Sequence, residues 1–435
     1  MPPIYLKYLA SISFNIIRCF LNNTIVIASE AWQSLKMKYL RLPEGKSIWS
    51  SLIPITIALY LLFSMISISL SQIFLSFSLI IWIIMLIREK QKFTFPSFFW
   101  PLLVYIFLSL ISALLSVNPR VSFKDSKELL LFLIVPIVYL GFTEIKILKK
   151  ANIALLISGY ASSLYVIFIY FFKTARPYYR ATGFVGQKMT QAGLLILFCC
   201  IALSIFLFSK EKIRFLWGAA FLVSLFALIL TQTRSSWIAL VFCAALILLF
   251  YKPKTLIIIP LALVLFYFIS PKWIKERTLS IFSLKRKSDQ LRIEYLKVGI
   301  EIIKDFPIFG TGPDTVDIVY QDPKYALSDE ARKNVHLHNN ILQTAAERGI
   351  PTLLAWLTFI ALVSITLFNL LKNKDPTNRS FTVAALAAVL GLFTAGLFEY
   401  NFADSEITAL FLYIITIPFL LSRVQESKSN NQKTS

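Results

Sequence analysis

Apolar runs, many of about twenty residues, recur along most of this chain, broken by short charged clusters such as REKQK, KILKK and KEKIR. A helix needs about 20 apolar residues to cross a bilayer core of roughly 30 Å. On that measure the pattern yields twelve spans, approximately 50–69, 72–87, 98–116, 128–142, 152–172, 190–208, 215–232, 236–251, 255–271, 350–371, 381–398 and 406–422. The run 128–142 is short. Arg120, Lys124 and Lys127 before it, and Lys146, Lys149 and Lys150 after it, can snorkel to the two interfaces. The expected fold is therefore all-α: a polytopic membrane protein of about twelve transmembrane helices, with a large extracytoplasmic helical loop between spans nine and ten. The chain divides into a cytoplasmic or interfacial segment 1–49, spans one to nine over 50–271, the loop 272–349, spans ten to twelve over 350–422 and a cytoplasmic tail 423–435. Within 1–49, SISFNIIRCFLNNTIVIA reads as an amphipathic stretch lying on the membrane with Arg18 in its polar stripe. Read as an extra span, it would hold Arg18 near mid-membrane at a cost of at least ~2.5 kcal/mol. No small-residue cleavage pattern marks a removed signal peptide.

Composition sharpens this picture. Hydrophobic residues are 57% of 435 and charged residues 15%, against roughly 25% charged in soluble proteins, and mean hydropathy is +0.70. A soluble multidomain protein is excluded. The net charge of +21 would suggest a polyanionic partner in a soluble chain. With both termini in the cytoplasm, however, the tails and inner loops carry 23 basic and 7 acidic residues. The short outer loops carry 8 and 5, and the segment 272–349 carries 13 and 11. The excess base is thus a topology signal, and no nucleic acid is needed to explain it. Four cysteines in or near apolar runs predict no disulfide framework, and no Cys/His spacing resembles a zinc site. Span interiors nearly free of ionisable groups count against an ion-coupled carrier.

Candidate chemistry gathers in the outer loops. SDQLRIEYLKVGIEIIKDF predicts an amphipathic helix with Leu291, Tyr295, Val298 and Ile302 on one face, ended by Pro307 and a glycine turn in PIFGTGPD. Gly310-Thr311-Gly312 follows a helix, so it is no dinucleotide fingerprint. Both histidines, His336 and His338, lie in VHLHNN. A helix starting on Asn339 or Asn340 would hold the His338 ring neutral and able to take a proton from a hydroxyl. On a helix the two rings would face apart, which disfavours a shared metal. Arg234 in the turn TQTRSSW, Arg292 on the amphipathic helix and Arg180 in RPYYRATG are outer-face arginines. Each alone reads as an anchor or a solvated charge, and together they would suit a pyrophosphate. Glu399, Asp404 and Glu406 in EYNFADSE either orient these groups or form a solvated turn.

At these residues the chain resembles the O-antigen ligase and polymerase superfamily of bacterial envelope glycosyltransferases. Three pieces carry the likeness: the arginine turn TQTRSSW, the arginine helix leading into Pro-Ile-Phe-Gly-Thr-Gly, and His338-Asn339 followed by nine residues, Gly349, two residues and Thr352. Ser235 stands where the family more often has Gly. The resemblance implies a GT-C-like, cofactor-free and metal-independent transferase in the bacterial inner membrane, its active site facing the periplasm. The donor would be a glycan on undecaprenyl pyrophosphate and the acceptor a lipid A–core sugar hydroxyl, with membrane lipid around both. His338 would be the catalytic base, Arg234, Arg292 and Arg180 the pyrophosphate ligands, and Asn339, His336 and Asp404 supporting residues. A polysaccharide polymerase or a protein O-oligosaccharyltransferase would share this chemistry. A lipid-linked glycan flippase or solute transporter is the reading from another class.

Overall fold

The computed structural model describes residues 48–90, 93–174, 179–283 and 286–434. The segment 1–47, which decides between an interfacial stretch and an extra span, lies outside the described residues. The chain divides into two compact units, 1–52 and 53–435, and the helical bundle with the long loop between α10 and α14 belongs to the second. Regular structure among the described residues is helical: α1 (Ile48–Phe63), α2 (Ile68–Arg88), α3 (Phe99–Leu114), α4 (Pro119–Asp125), α5 (Ile134–Gly141), α6 (Ile145–Phe168), α7 (Lys188–Phe208), α8 (Arg214–Leu230), α9 (Arg234–Tyr251), α10 (Ile258–Ile269), α11 (Lys272–Leu279), α12 (Lys287–Asp305), α13 (Val316–Val319), α14 (Asn340–Leu370), α15 (Pro376–Gly396) and α16 (Ser405–Thr434). The protein is an all-α polytopic membrane protein.

Among the described residues, seven helical stretches in the regions of α2, α6, α7, α9, α14, α15 and α16 are long and apolar enough to cross a membrane, and four shorter apolar helices accompany them. The run 128–142 differs from a continuous α-helical span. A 3-10 stretch, Ser126–Leu133, leads into the two turns of α5. Pro136 sits in that second piece, where it has no N–H to continue a ladder from the preceding turn. At the centre of the bundle α7 and α15 pack on each other and both on α9 and α16, and α7 packs also on α8. The small residues Ala384, Ala385, Ala387 and Ala388 of α15 are fully buried there and let backbones approach closely.

One joint sets the height of everything at the loop end. Helix α14 is broken at Gly349, which takes φ +83°, and Pro351 has no N–H to offer the Glu347 carbonyl. The break leaves carbonyls without their intrahelical donors, and the loop after α12 supplies replacements. Thr311 N–H donates to Ala346 O at 2.9 Å and Gly312 N–H to Glu347 O at 2.8 Å. Ser112 Oγ adds a bond to Glu347 O at 2.9 Å, and Thr352 Oγ1 donates to Arg348 O at 2.6 Å. In return Ile350 N–H donates to Pro307 O at 2.9 Å. Backbones meet so closely that a Cβ on Gly349 would lie 1.9 Å from Ile308 O, and one on Gly310 2.2 Å from Glu347 C.

The amphipathic expectation holds for α12. Tyr295, Val298 and Ile302 are buried in a small core with Tyr320, Tyr325, Leu337, Leu342 and Ala346, and Leu291 packs against it. Each such side chain contributes about 1.5–3 kcal/mol on full burial. This cluster ties α12, with Arg292, to the first turns of α14, which His338 precedes. Replacing Gly349 by Ala should cost more than ~3 kcal/mol, since it adds both a positive-φ penalty and a backbone clash. The expected result is a large loss of thermal stability in detergent, and a Gly349→Ala protein melting like the wild type would contradict this account of the joint.

Candidate active site

His338 lies in the loop just ahead of α14, where the chain turns through φ +52° before the helix starts. Asn339 is the N-cap: its Oδ1 accepts from Ile341 N–H at 2.9 Å and Leu342 N–H at 3.0 Å, a cap worth about 1 kcal/mol. Its Nδ2 donates to Leu397 O at 3.0 Å, which ties the helix start to the end of α15. Asn340 continues the tie, donating to Asn401 Oδ1 at 2.7 Å. The two asparagines thereby hold the turn 397–402 against His338, and that turn carries Glu399. The His338 Nδ1 and Glu399 Oε1 atoms are 3.0 Å apart. A carboxylate at this position favours the tautomer protonated on Nδ1 and leaves Nε2 as the proton acceptor.

The arginines converge on one turn. Residues 231–234 bend into α9 with Gln232 at φ +52°. Arg180 donates through Nε to Thr231 O at 3.1 Å and through Nη2 to Thr233 Oγ1 at 3.0 Å. Arg234, the first residue of α9, is almost enclosed and forks onto Asp289 near the start of α12. Its Nη1 reaches Asp289 Oδ2 at 3.1 Å and Ser280 O at 2.6 Å, and its Nη2 makes a short contact with Asp289 Oδ1. Arg292, one turn further along α12, approaches the same carboxylate at 3.5 Å. Thus Asp289 bridges the arginine turn to the arginine helix. Asp289 escapes a reading of the sequence alone, although its spacing of three before Arg292 on a helix is the signal that pairs them.

A fourth guanidinium joins. Arg277 on α11 donates through Nε to Gln232 O at 2.9 Å. Burial, reinforced by the other arginines, pulls both Arg180 and Arg277 down to about 10. Arg292 is lowered too, again mainly by burial, while the Glu399 carboxylate acts in the opposite direction on Arg292 and on Arg180. The carboxylate that meets His338 thus lies within electrostatic range of Arg180 and Arg292. Four guanidiniums and the nearby Lys188 outnumber Asp289 and Glu399, so the cluster keeps a net positive charge suited to an anionic ligand.

The remaining expected residues sit elsewhere around this centre. His336 packs its ring 5.4 Å from that of Tyr400, and its Nδ1 is buried without a hydrogen-bond partner. Burial, then the charge of His338, pulls its pKa down. Both histidines precede the helix instead of occupying it, so helical spacing does not separate them. Asp404 accepts from Thr190 Oγ1 at 2.9 Å and braces the start of α7. Of the three acids Glu399, Asp404 and Glu406, Glu399 is the one bonded to a histidine, His338. Among the described residues no cluster of three or more His, Cys, Asp or Glu side chains could hold a metal ion.

A family model described as O-Antigen ligase matches residues 219–357, about a third of the chain. The match runs from α8 through the arginine turn and the long loop into α14, and it supports the O-antigen ligase and polymerase superfamily of membrane glycosyltransferases for this protein. A search of curated proteins returned no match.

Two substitutions probe the charges. Asp289→Asn leaves nearly buried arginines without their counter-ion and should cost about 3 kcal/mol, read as a lower melting temperature. Burial raises Asp404 from 3.8 to about 7. The folded state therefore favours the protonated acid, and this group's contribution to stability is lost as pH rises from about 4 towards 7. Asp404→Asn should melt like the wild type near pH 4 and above it at pH 8. Equal melting differences at both pH values would show that Asp404 does not titrate this way.

Proposed function

We propose that this protein is an O-antigen ligase, moving a glycan from undecaprenyl pyrophosphate to a lipid A–core sugar hydroxyl at the periplasmic face of the bacterial inner membrane. The observation that carries the reading is the core that joins α12, with Arg292, to the start of α14, beside His338 and its Glu399 partner. A proton acceptor and an arginine cluster bridged by Asp289 are thereby carried on two helices packed together, with Glu399 in electrostatic range of Arg180 and Arg292.

In the reaction the acceptor hydroxyl oxygen attacks the anomeric carbon from the side opposite the diphosphate. The hydroxyl proton passes to His338 Nε2 as the new C–O bond forms. The bond from the anomeric carbon to the phosphate oxygen breaks, and its electron pair leaves with the diphosphate. Charge grows on that leaving group beside Arg180 and Arg292, whose hydrogen bonds strengthen as it develops, while Arg234, its fork spent on Asp289, Ser280 and Ser288, contributes through its charge. Attack from behind inverts the anomeric centre. The pyrophosphate link already stores the energy of transfer, so no further cofactor is invoked. Glu399 acts through His338 as a positioning residue, and Asn339 acts through the backbone that presents it.

The test is transfer by the purified protein in detergent, with a lipid-linked diphosphate glycan and a lipid A–core acceptor. His338→Ala should lower the rate by roughly 10²–10⁴-fold. Glu399→Gln should lower kcat by about 10-fold or more and shift the pH profile, with little change in donor KM. Arg292→Ala should raise donor KM. A wild-type protein that lengthens the donor glycan and ignores the acceptor would be a polymerase. One that transfers to nothing, with His338→Ala behaving identically in every assay, would remove the enzymatic reading.

A further inference from the structure

Arg277 lies within the matched residues but in none of the three motifs, yet its guanidinium is placed as a ligand's would be. Its Nε donates to the Gln232 carbonyl, as the Nε of Arg180 donates to the preceding carbonyl, that of Thr231. A planar guanidinium held by Nε keeps Nη donors for a second partner. Arg180 uses Nη2 on Thr233 and has Nη1 to spare. Arg277 places neither Nη group on any described residue. Both side chains are half-buried, so these donors are held in place and still reachable.

Arg234 is the opposite case. Its Nη1 bonds Ser280 O and Asp289, and its Nη2 bonds Ser288 Oγ and Asp289. Each Nη carries two hydrogens, so the fork is full. The open donors beside the arginine turn belong to its neighbours. No carboxylate contacts Arg180 or Arg277 among the described residues, and the Lys188 ammonium lies within electrostatic range of both. Cations gathered without a contacting acid repel one another, and an anion lying between them relieves that repulsion.

We propose that Arg277 and Arg180 form a second phosphate subsite beside Arg292, so that the site engages both phosphates of a lipid-linked diphosphate and rejects a monophosphate. This rests on the ligase reading above and deepens it. A donor cleaved from its glycan gains charge on the terminal phosphate, and a second set of forks would hold that product phosphate as it forms.

The test uses the full-length protein in detergent and reads binding by thermal-shift titration with inorganic pyrophosphate and, separately, inorganic phosphate. The wild type should bind pyrophosphate more tightly than phosphate. Arg277→Gln should keep its ligand-free melting temperature and weaken pyrophosphate by roughly tenfold or more, while phosphate affinity changes much less. Arg277→Lys, which keeps the charge and loses the fork, should fall between. Both variants binding pyrophosphate like the wild type would overturn the proposal and leave the ligase reading standing. So would loss of the fold even with Lys, because the guanidinium would then serve the Gln232 carbonyl alone. A wild type that ignores pyrophosphate would overturn this proposal and the diphosphate reading together. Nanodiscs with phosphatidylglycerol in place of phosphatidylcholine separate the other phosphate source. Stabilisation by that lipid that is lost in Arg277→Gln, without any response to pyrophosphate, would make the subsite one for bilayer headgroups and sink the diphosphate proposal.

Discussion

A helix cannot change direction inside a folded protein without leaving carbonyls to be satisfied, and this molecule is organised around one such place. At Gly349 and Pro351 the ladder of α14 stops, and the Ala346 and Glu347 carbonyls take their donors from Thr311 and Gly312. An unsatisfied buried carbonyl costs about 1–3 kcal/mol, so the loop after α12 and the break in α14 are bound to occur together. That joint fixes the first turns of α14 above its membrane-crossing part and brings α12 against them. His338 and Arg292, 46 residues apart in the chain, are thereby carried on two helices that share one core.

The charges follow the same logic of mutual dependence. Asp289 is nearly buried and would be costly without the forked contact to Arg234. Arg234 in turn would be a stranded cation at the head of α9. Their pairing locks the arginine turn to the arginine helix, and Arg180 and Arg277 close on the carbonyls of that turn. One carboxylate, Asp289, meets two of the guanidiniums, and backbone carbonyls hold the other two without neutralising them. The surplus charge is what an anionic substrate would meet. Glu399, on the turn between α15 and α16, meets the histidine and lies within electrostatic range of Arg180 and Arg292.

Much of this is visible in the chain before any coordinates. The helices α2, α6, α7, α9, α14, α15 and α16 follow from long apolar runs, since a span must satisfy its own backbone and bury nothing charged. The buried face of α12 follows from the spacing of Tyr295, Val298 and Ile302, and the N-cap at Asn339 from its residue type. The run 128–142 shows where such reading ends: hydropathy marks it as apolar, and its division into a 3-10 stretch and two α turns is a matter of local backbone packing around Pro136. The acids of EYNFADSE show the same limit. Composition groups Glu399 with Asp404, and the fold sends one to His338 and the other to Thr190.

What the sequence by itself determined is therefore periodic and local: which segments are apolar, which helix is two-faced, where a cap or a break must fall, and which residue types are available for chemistry. The tertiary structure decided which of those residues meet. Asp289 beneath Arg234, Arg277 on the Gln232 carbonyl and Glu399 on His338 are contacts across 55, 45 and 61 residues. Short-range pattern has no term for such pairs, because they exist only once the broken helix has been docked and its carbonyls satisfied.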